Sequence, residues 1–214
     1  MKGKIHHLGH SKNTASQRPT YLPGECIHTD LQGPYTRSLK GSRYSQIFFD
    51  MASKKIWVSH LGDKTDSYEA LEKVLSDSRT RSGRPCKFLH ADGDGIFGRS
   101  NRFQEIQKKF AFVLQRPAAG DHEQSCHIDR ECRTLLEATA TALVQSGAPS
   151  TFWAEAAAHF VFTRNNTPRH EFFSGGKKIF LSPNQVFEGN QNPFNLSRLV
   201  AAYLFFAKRS TPWS

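Results

Sequence analysis

The chain has 214 residues, of which 37% are hydrophobic and 22% are charged, and its net charge is +10. This length can bury one sizeable core plus a minor appendage, and no apolar run reaches the ~18 residues of a membrane span. The polar N-terminus lacks the apolar stretch of a signal peptide, so we expect a soluble, intracellular protein. The basic charge favours a polyanionic partner such as nucleic acid, because Lys and Arg release counterions from a phosphate backbone.

The four cysteines are far apart in the sequence and form no Cys-x-x-Cys pair. This spacing excludes a disulfide scaffold and an ordinary zinc knuckle, and it indicates reduced, structural thiols. His122, Cys126, His127 and Cys132 lie near one another, but their spacing fits no common zinc site. His6, His7 and His10 fall in a basic N-terminal segment and are interpreted as part of a solvated arm.

The first ordered segments predict a meander of three strands. Before them, residues 1–24 are basic and rich in Ser, Thr, Pro and Gly, which is typical of a flexible arm. Short runs rich in β-branched and aromatic residues then alternate with turn residues such as Gly33-Pro34 and Gly41-Ser42. The predicted strands cover residues 26–31, 46–50 and 56–61.

A helix, a strand and a second helix follow. Asp66 with Glu69 resembles a capping box, and the helical spacing of apolar residues continues until Gly83. The run Cys86 to Ala91 predicts a buried strand that ends at Asp92-Gly93-Asp94-Gly95, where glycines allow a tight turn. The next helix is predicted to begin with Asn101 as its cap.

The remaining elements complete an α/β pattern. We predict a fifth strand over 111–115, a polar loop over 116–124 and a long helix from near His127 to Gly147. A further helix is predicted to begin after Ser150 and Thr151 and to end at Asn165-Asn166-Thr167-Pro168. The segments 175–178 and 190–195 look irregular. This succession suits a mixed five-stranded sheet with helices on its faces.

Three acids fall at informative places in this pattern. Asp30 lies in or at the end of the first strand, Asp92 directly follows the fourth, and Asp129 lies on the first turn of the long helix. Two Mg²⁺ ions that catalyse phosphoryl transfer need several carboxylates on rigid elements. Each acid also has a structural interpretation, because aspartate favours turns and helix N-termini.

Several segments in order resemble the integrase core of copia-type LTR retrotransposons. The resemblance runs from about Glu25 to about Tyr203, nearly the whole ordered chain. It is carried by His28-Thr29-Asp30-Leu31-Gln32-Gly33-Pro34, the strand from Arg43-Tyr44 to Asp50, Leu89-His90-Ala91-Asp92-Gly93-Asp94-Gly95-Ile96-Phe97, Arg133-Thr134-Leu135-Leu136-Glu137-Ala138, Phe152-Trp153-Ala154-Glu155-Ala156, Asn165-Asn166-Thr167-Pro168 and Ser182-Pro183 with Phe187-Glu188-Gly189.

The resemblance implies an RNase-H-like fold and metal-dependent strand transfer of DNA. Asp30, Asp92 and Asp129 match the family's three metal-binding acids, which would hold two Mg²⁺ or Mn²⁺ ions. The third acid is a Glu in the family, and here the shorter Asp129 takes its place. Ser125-Cys126 stands where the family has Asn-Gly, and Ile96 where it commonly has Glu.

The resemblance also implies a homodimer or higher multimer that acts on DNA in the nucleus. The family's His₂Cys₂ zinc module is not expected in this chain, which has no Cys-x-x-Cys pair. We divide the chain into an arm at 1–24, a catalytic core at 25–168 and a C-terminal extension at 169–214. The basic residues proposed to contact DNA are Arg99, Arg102, Lys108, Lys109, Arg130 and Arg133.

Two other functions remain open at this point. One is a catalytically inactive, integrase-derived remnant that binds nucleic acid, which the changes around Asp129 favour. The other is an RNase H or resolvase-like nuclease on the same fold, which the integrase-type Gly-Pro and Phe-Trp-Ala-Glu-Ala segments disfavour. Analysis of reaction products would separate cleavage from joining.

Overall fold

The computed structural model describes residues 21–91, 97, 100–116, 122–174 and 177–189, without the side chains of 122–127, 172–174 and 177–178. Most of the predicted arm at 1–24 and the segment 190–195 lie outside this description. The division into arm, core and extension therefore stays a prediction. None of the described helices is long and apolar enough to cross a membrane.

A mixed five-stranded sheet forms the centre of the fold, as predicted. The strands are β1 (Cys26–Gln32), β2 (Tyr44–Asp50), β3 (Ile56–Leu61), β4 (Phe88–Ala91) and β5 (Val113–Gln115). Their order across the sheet is β3-β2-β1-β4-β5. The first three are antiparallel to one another, whereas β4 runs parallel to β1 and to β5. The central strand is thus β1.

In the described part of the chain, five helices accompany the sheet, together with a separate hairpin of two strands. The helices are α1 (Ser67–Ser82), α2 (Asn101–Phe110), α3 (His122–Ser146), α4 (Trp153–Asn166) and α5 (Pro183–Glu188), and the hairpin consists of β6 (His170–Ser174) and β7 (Lys177–Leu181). Two short 3-10 turns precede α1 and α4.

Apolar side chains alternate along the central strands and pack on both faces of the sheet. Ile27, Phe48 and Leu89 lie in the cluster that includes α1 and α2. Ile47 and Phe49 lie in a second cluster with residues of α3 and α4. A strand buried on both faces leaves little room for charge, so a carboxylate within it needs a specific reason.

The structure corrects two predicted caps and one predicted helix start, although Asp66 is the N-cap residue of α1, as expected. The capping box near α1 joins Asp63 to Asp66 on the preceding 3-10 turn, not Asp66 to Glu69. Ser100, not Asn101, caps α2, because its side chain accepts a hydrogen bond from the Phe103 amide. The long helix α3 begins at His122, five residues before His127, the start expected from its apolar stripe.

The end of α2 shortens the fifth strand. Ala111 has a φ of 54° and caps α2 in the left-handed conformation, so β5 begins at Val113. The predicted ends of α1 and α3 are confirmed, since Gly83 and Gly147 have φ angles of 69° and 64°. Left-handed glycine is the usual stop for a helix.

Two C-terminal elements were not predicted from the sequence. Segment 175–178 was expected to be irregular, but Lys177 begins β7, which pairs antiparallel with β6. In the sequence, Gly175-Gly176 stands between Phe172-Phe173 and Ile179-Phe180, and a Gly-Gly pair between two such runs is a hairpin signal that could have been used. The short α5 begins with a capping box between Ser182 and Gln185.

Candidate active site

Asp30 lies near the C-terminal end of the central strand. Its position on β1 pairs antiparallel with Ile47 of β2, and the preceding Thr29 pairs parallel with Ala91, the last residue of β4. Asp30 is half-buried, whereas His28, two residues earlier on the same face, is buried. The carboxylate therefore stands where the buried sheet opens toward solvent.

Two neutral side chains donate hydrogen bonds to the Asp30 carboxylate. Gln32 Nε2 donates to Oδ2 at 3.3 Å, and the Cys132 thiol of α3 donates to the same oxygen at 3.4 Å. The Tyr35 hydroxyl donates to Gln32 Oε1 at 3.1 Å. Among the residues that the structure describes, no Lys or Arg forms an ion pair with Asp30. Its charge is therefore not neutralised within this part of the chain.

The negative charge at this site acts on two neighbouring groups. Burial, followed by the charge and hydrogen bond of Asp30 and the charge of Asp129, raises the pKa of the Cys132 thiol far above its usual range. Burial, followed by the electrostatic influence of Cys132 and then of Asp30, raises the pKa of Tyr35 to about 12. Both groups are thus protonated at neutral pH and act as neutral donors.

Asp129 reaches the same region from α3. It precedes Cys132 by three residues, so the two side chains lie on one side of the helix, and Asp129 is exposed. The sequence pattern predicted Asp129 on the first turn of the long helix, and this was wrong. Because α3 begins at His122, Asp129 lies about two turns inside the helix. The helix dipole acts mainly within the first turn, so it does not explain an acid at this position.

Asp92 lies outside the described residues, although the strand that leads to it is described. β4 ends at Ala91, and Ala91 is level with Thr29 across the parallel pair. The residue after each of these in the sequence is an aspartate, Asp30 in one case and Asp92 in the other. The structure brings Asp30 and Asp129 to Cys132, and the full set of three acids stays a prediction.

The loop after Asp30 depends on a glycine and on a tryptophan. Gly33 has a φ of +123°, and a Cβ there would lie 2.7 Å from the Arg43 carbonyl oxygen. The Trp153 indole donates to the Thr36 carbonyl at 2.8 Å, which ties the loop to α4. Trp153 is buried, whereas its neighbour Phe152 is 38% exposed.

The predicted DNA-binding residues fall into two groups. On α2, Arg102 pairs with Glu72 and Glu105, and Lys109 also pairs with Glu72, so these charges are partly neutralised. Lys108 is exposed on the same helix, and Arg99 lies outside the described residues.

On α3, Arg130 and Arg133 are exposed and have no ion-pair partner among the described residues. Arg130 directly follows Asp129 in the sequence, and Arg133 directly follows Cys132. Cations next to the acids suit the phosphates of a nucleic acid that reaches the site.

Sequence reasoning missed a cluster beside the acids. Cys26, His28 and His90 lie buried on β1 and β4, and their metal-binding atoms are all within 4.8 Å of one another. The signal was present, because a histidine stands two residues before Asp30 and another two residues before Asp92. Only the parallel register shows that the two histidines are neighbours.

Comparison with known proteins gives one curated relative. No protein-family model matches the chain. The chain is 27% identical over 167 residues to the retrovirus-related Pol polyprotein from transposon TNT 1-94 of Nicotiana tabacum, and the alignment covers 78% of this chain. The same alignment covers 12% of the polyprotein, so the chain corresponds to a small part of that relative.

Solved structures resemble the chain over most of its length. A chain of the simian T-cell lymphotropic virus intasome in complex with PP2A regulatory subunit B56 gamma matches with a TM-score of 0.60 and 14% identity, over 83% of this chain and 59% of that one. The HTLV-2 integrase catalytic core domain in complex with magnesium, in its dimeric form, matches with a TM-score of 0.55 and 15% identity, over 79% of this chain and 99% of that one. The chain is therefore a relative of a retrotransposon Pol polyprotein and has the RNase-H-like fold of a retroviral integrase catalytic core.

Proposed function

We propose that this chain is the catalytic core of a copia-type LTR retrotransposon integrase, which joins the 3′ ends of element DNA to target DNA. The position of Asp30 carries the proposal. It is a half-buried carboxylate at the end of the central strand, with no Lys or Arg ion-pair partner among the described residues. A carboxylate in such a place is expensive unless a cation meets it.

The donor set fits a hard divalent cation. Carboxylate oxygens are the ligands that Mg²⁺ and Mn²⁺ prefer, and the hydrogen bonds to Asp30 come from neutral groups. Asp30, Asp92 and Asp129 would hold two such ions. When bound, these ions activate the attacking hydroxyl and stabilise the leaving oxygen in an in-line displacement.

The chain's own residues orient the acids and the DNA. Gln32 and Cys132 hold one oxygen of Asp30, which fixes the direction of the carboxylate. Arg130 and Arg133 on α3 would contact phosphates beside Asp129. In the joining step, the 3′ oxygen of the element forms a bond to a target phosphorus, and the bond from that phosphorus to the target's own 3′ oxygen breaks. The attacking hydroxyl gives its proton to water.

The proposal includes assembly and location. We expect a homodimer or higher multimer that acts on DNA in the nucleus. The support comes from the structural neighbours, one of which is a dimeric catalytic core and the other an intasome chain.

A catalytically inactive remnant that binds DNA is the second candidate. Asp129 is one methylene shorter than the family's Glu, and in a fixed helix a shorter side chain can miss an ion. In addition, the Cys132 thiol already donates to the Asp30 oxygen Oδ2. Small displacements of catalytic groups lower the reaction rate by large factors. These two features therefore favour a protein that folds and binds DNA but does not catalyse strand transfer.

A strand-transfer assay on short duplex DNA tests the proposal. The wild type, Asp92→Asn and Asp129→Glu are compared in Mg²⁺ and then in Mn²⁺, with Glu137→Gln as a matched exposed-acid control on α3. We expect metal-dependent joined products from the wild type and Glu137→Gln, none from Asp92→Asn, and more from Asp129→Glu. Folded, DNA-binding protein without joined products from either the wild type or Asp129→Glu would establish the inactive remnant instead.

A further inference from the structure

Three buried side chains with metal-binding atoms meet on the sheet face that also carries Asp30. Cys26 and His28 are two residues apart on β1, so their side chains point to the same face of the sheet. His90 lies opposite His28 in the parallel register of β1 and β4. The sulfur and one nitrogen of each imidazole lie within 4.8 Å of one another. The three residues are 0%, 4% and 8% exposed. A thiol and two imidazoles thus converge from rigid strands, away from bulk water.

Hydrogen bonds do not explain why a polar ring is buried at His90. Both of its ring nitrogens are buried without a hydrogen-bond partner, although the Gln115 side chain lies near the ring. An imidazole left without partners in the interior loses its hydration and gains nothing in exchange. The ring instead stacks on His28, with centroids 4.2 Å apart and an interplanar angle of 9°. Neutral imidazole is a common metal ligand through either of its ring nitrogens.

We propose that Cys26, His28 and His90 bind a Zn²⁺ ion that joins β1 to β4. Zn²⁺ takes thiolate sulfur and imidazole nitrogen in tetrahedral geometry, whereas Mg²⁺ takes oxygen, so this site differs in chemistry from the carboxylates. Neighbouring ligand atoms on such an ion are roughly 3.3–3.8 Å apart. Binding requires the two stacked imidazoles to turn about their Cβ–Cγ bonds until a nitrogen of each faces the ion, and a water molecule would complete four ligands.

The proposed ion has a positioning role. His28 precedes Asp30 by two residues on one strand, a separation of about 7 Å. An ion at His28 and His90 therefore fixes the distance between the two strands just before their acidic ends. It takes no part in phosphoryl transfer, so its binding can be measured without any assay of joining.

Cobalt provides a direct test on the unsubstituted 214-residue chain. Burial raises the pKa of the Cys26 thiol to about 12, so at neutral pH a thiolate forms there only when a metal replaces the proton. Titration with Co²⁺ should produce a thiolate-to-cobalt charge-transfer band that saturates at a single ion per chain and disappears on addition of Zn²⁺. Absence of this band from the wild type would overturn the proposal.

Matched variants locate the ion. Cys26→Ser and His90→Gln should lose the band and the Zn²⁺-induced rise in melting temperature. Cys86→Ser replaces an equally buried thiol outside the group, and it should keep both signals. Asp30→Asn should also keep both signals. Loss of the signals in Asp30→Asn with retention in Cys26→Ser would place the ion at the carboxylates and contradict the proposal.

Two further measurements separate metal binding at this site from misfolding of a variant and from metal binding by histidines elsewhere in the chain. X-ray absorption at the zinc edge of the wild type should give one sulfur and three nitrogen or oxygen ligands, two of them with the multiple scattering of imidazole. A shell of oxygen and nitrogen alone would refute the site. Replacement of His6, His7 and His10 by Gln should leave the cobalt band unchanged. Loss of the band in that variant would assign it to the N-terminal segment instead.

Discussion

The Asn165 carboxamide forms hydrogen bonds with both backbone groups of Ile56. Its Oδ1 accepts from the Ile56 amide at 3.0 Å, and its Nδ2 donates to the Ile56 carbonyl at 2.6 Å. Because β3 is an edge strand, these groups point away from β2 and have no strand to pair with. One side chain of α4 thus replaces a sixth strand at this position.

Loss of this pairing should destabilise the fold. We expect Asn165→Ala to lower the free energy of unfolding by about 2–3 kcal/mol, because it leaves a buried N–H and a buried C=O unsatisfied. Urea unfolding followed by circular dichroism measures the change. Asn166→Ala is the matched control, since its side-chain oxygen accepts from Asn184 in a partly buried contact, and it should cost less. An equal cost for both variants would contradict this account.

Lys55 is buried in an aromatic setting that depresses its pKa. It is 2% exposed, its ammonium donates to Asn184 Oδ1 at 2.7 Å, and it lies 5.2 Å from the centroid of Trp57 and 4.9 Å from that of Phe187. Burial, and then the charge of Arg81, lowers its pKa from 10.5 to about 8. The folded protein therefore releases this proton more readily than the unfolded chain.

The consequence for stability has a definite sign. Between pH 8 and 10.5 the unfolded chain binds more protons at Lys55 than the folded chain, so this residue makes folding more favourable as pH rises. Relative to Lys55→Met, the wild type should gain up to roughly 3 kcal/mol of unfolding free energy across that window. Denaturant titrations of both proteins at a series of pH values measure the difference. A difference that does not change with pH would show that Lys55 titrates normally.

Three thiols should resist alkylation in the folded protein. Cys26, Cys86 and Cys132 are buried, and burial raises the pKa of the first two to about 12 and that of the third further. Because the thiolate is the reactive form, brief treatment with iodoacetamide at pH 8 should leave all three unmodified. Mass spectrometry of the digested protein measures this, and the same treatment in denaturant should modify them. Rapid modification of Cys132 in the native state would contradict the contact with Asp30.

DNA binding should depend more on α3 than on α2. Arg130→Gln and Arg133→Gln should each lower the slope of log affinity against log salt concentration by about 1, as expected for a lost phosphate contact. Arg102→Gln should change it less, because that side chain already pairs with Glu72 and Glu105. Fluorescence anisotropy of a labelled duplex between about 50 and 200 mM salt measures both. A larger effect at Arg102 would move the DNA surface to α2.

The segments that resemble integrases explain much of what the sequence could predict. Several of them fix the fold and not the chemistry: Gly33 permits a close approach of two backbones, Trp153 ties a loop to α4, and Asn165 completes an edge strand. Ser182 begins α5 by capping it. Because each performs a local geometric task, its identity and position were visible in the sequence together with the strand and helix periods.

What the sequence could not provide depends on contacts between distant segments. The pairing of His28 with His90 follows from the register of two strands separated by α1, and no local pattern encodes a register. The donation from Cys132 to Asp30 likewise depends on where α3 crosses the sheet. The early start of α3 was missed because its first turn lies outside the apolar stripe used to find it.

The central place of β1 has a consequence for how the chain folds. β1, β2 and β3 follow one another in the chain and pair as neighbours, so they close short loops at little entropic cost. The pairing of β1 with β4 must instead wait until the whole of β2, β3 and α1 has been spanned. Contacts of long sequence separation slow the search for the native state. The segments that carry Asp30 and lead to Asp92 are therefore expected to meet late in folding, after the three antiparallel strands have paired.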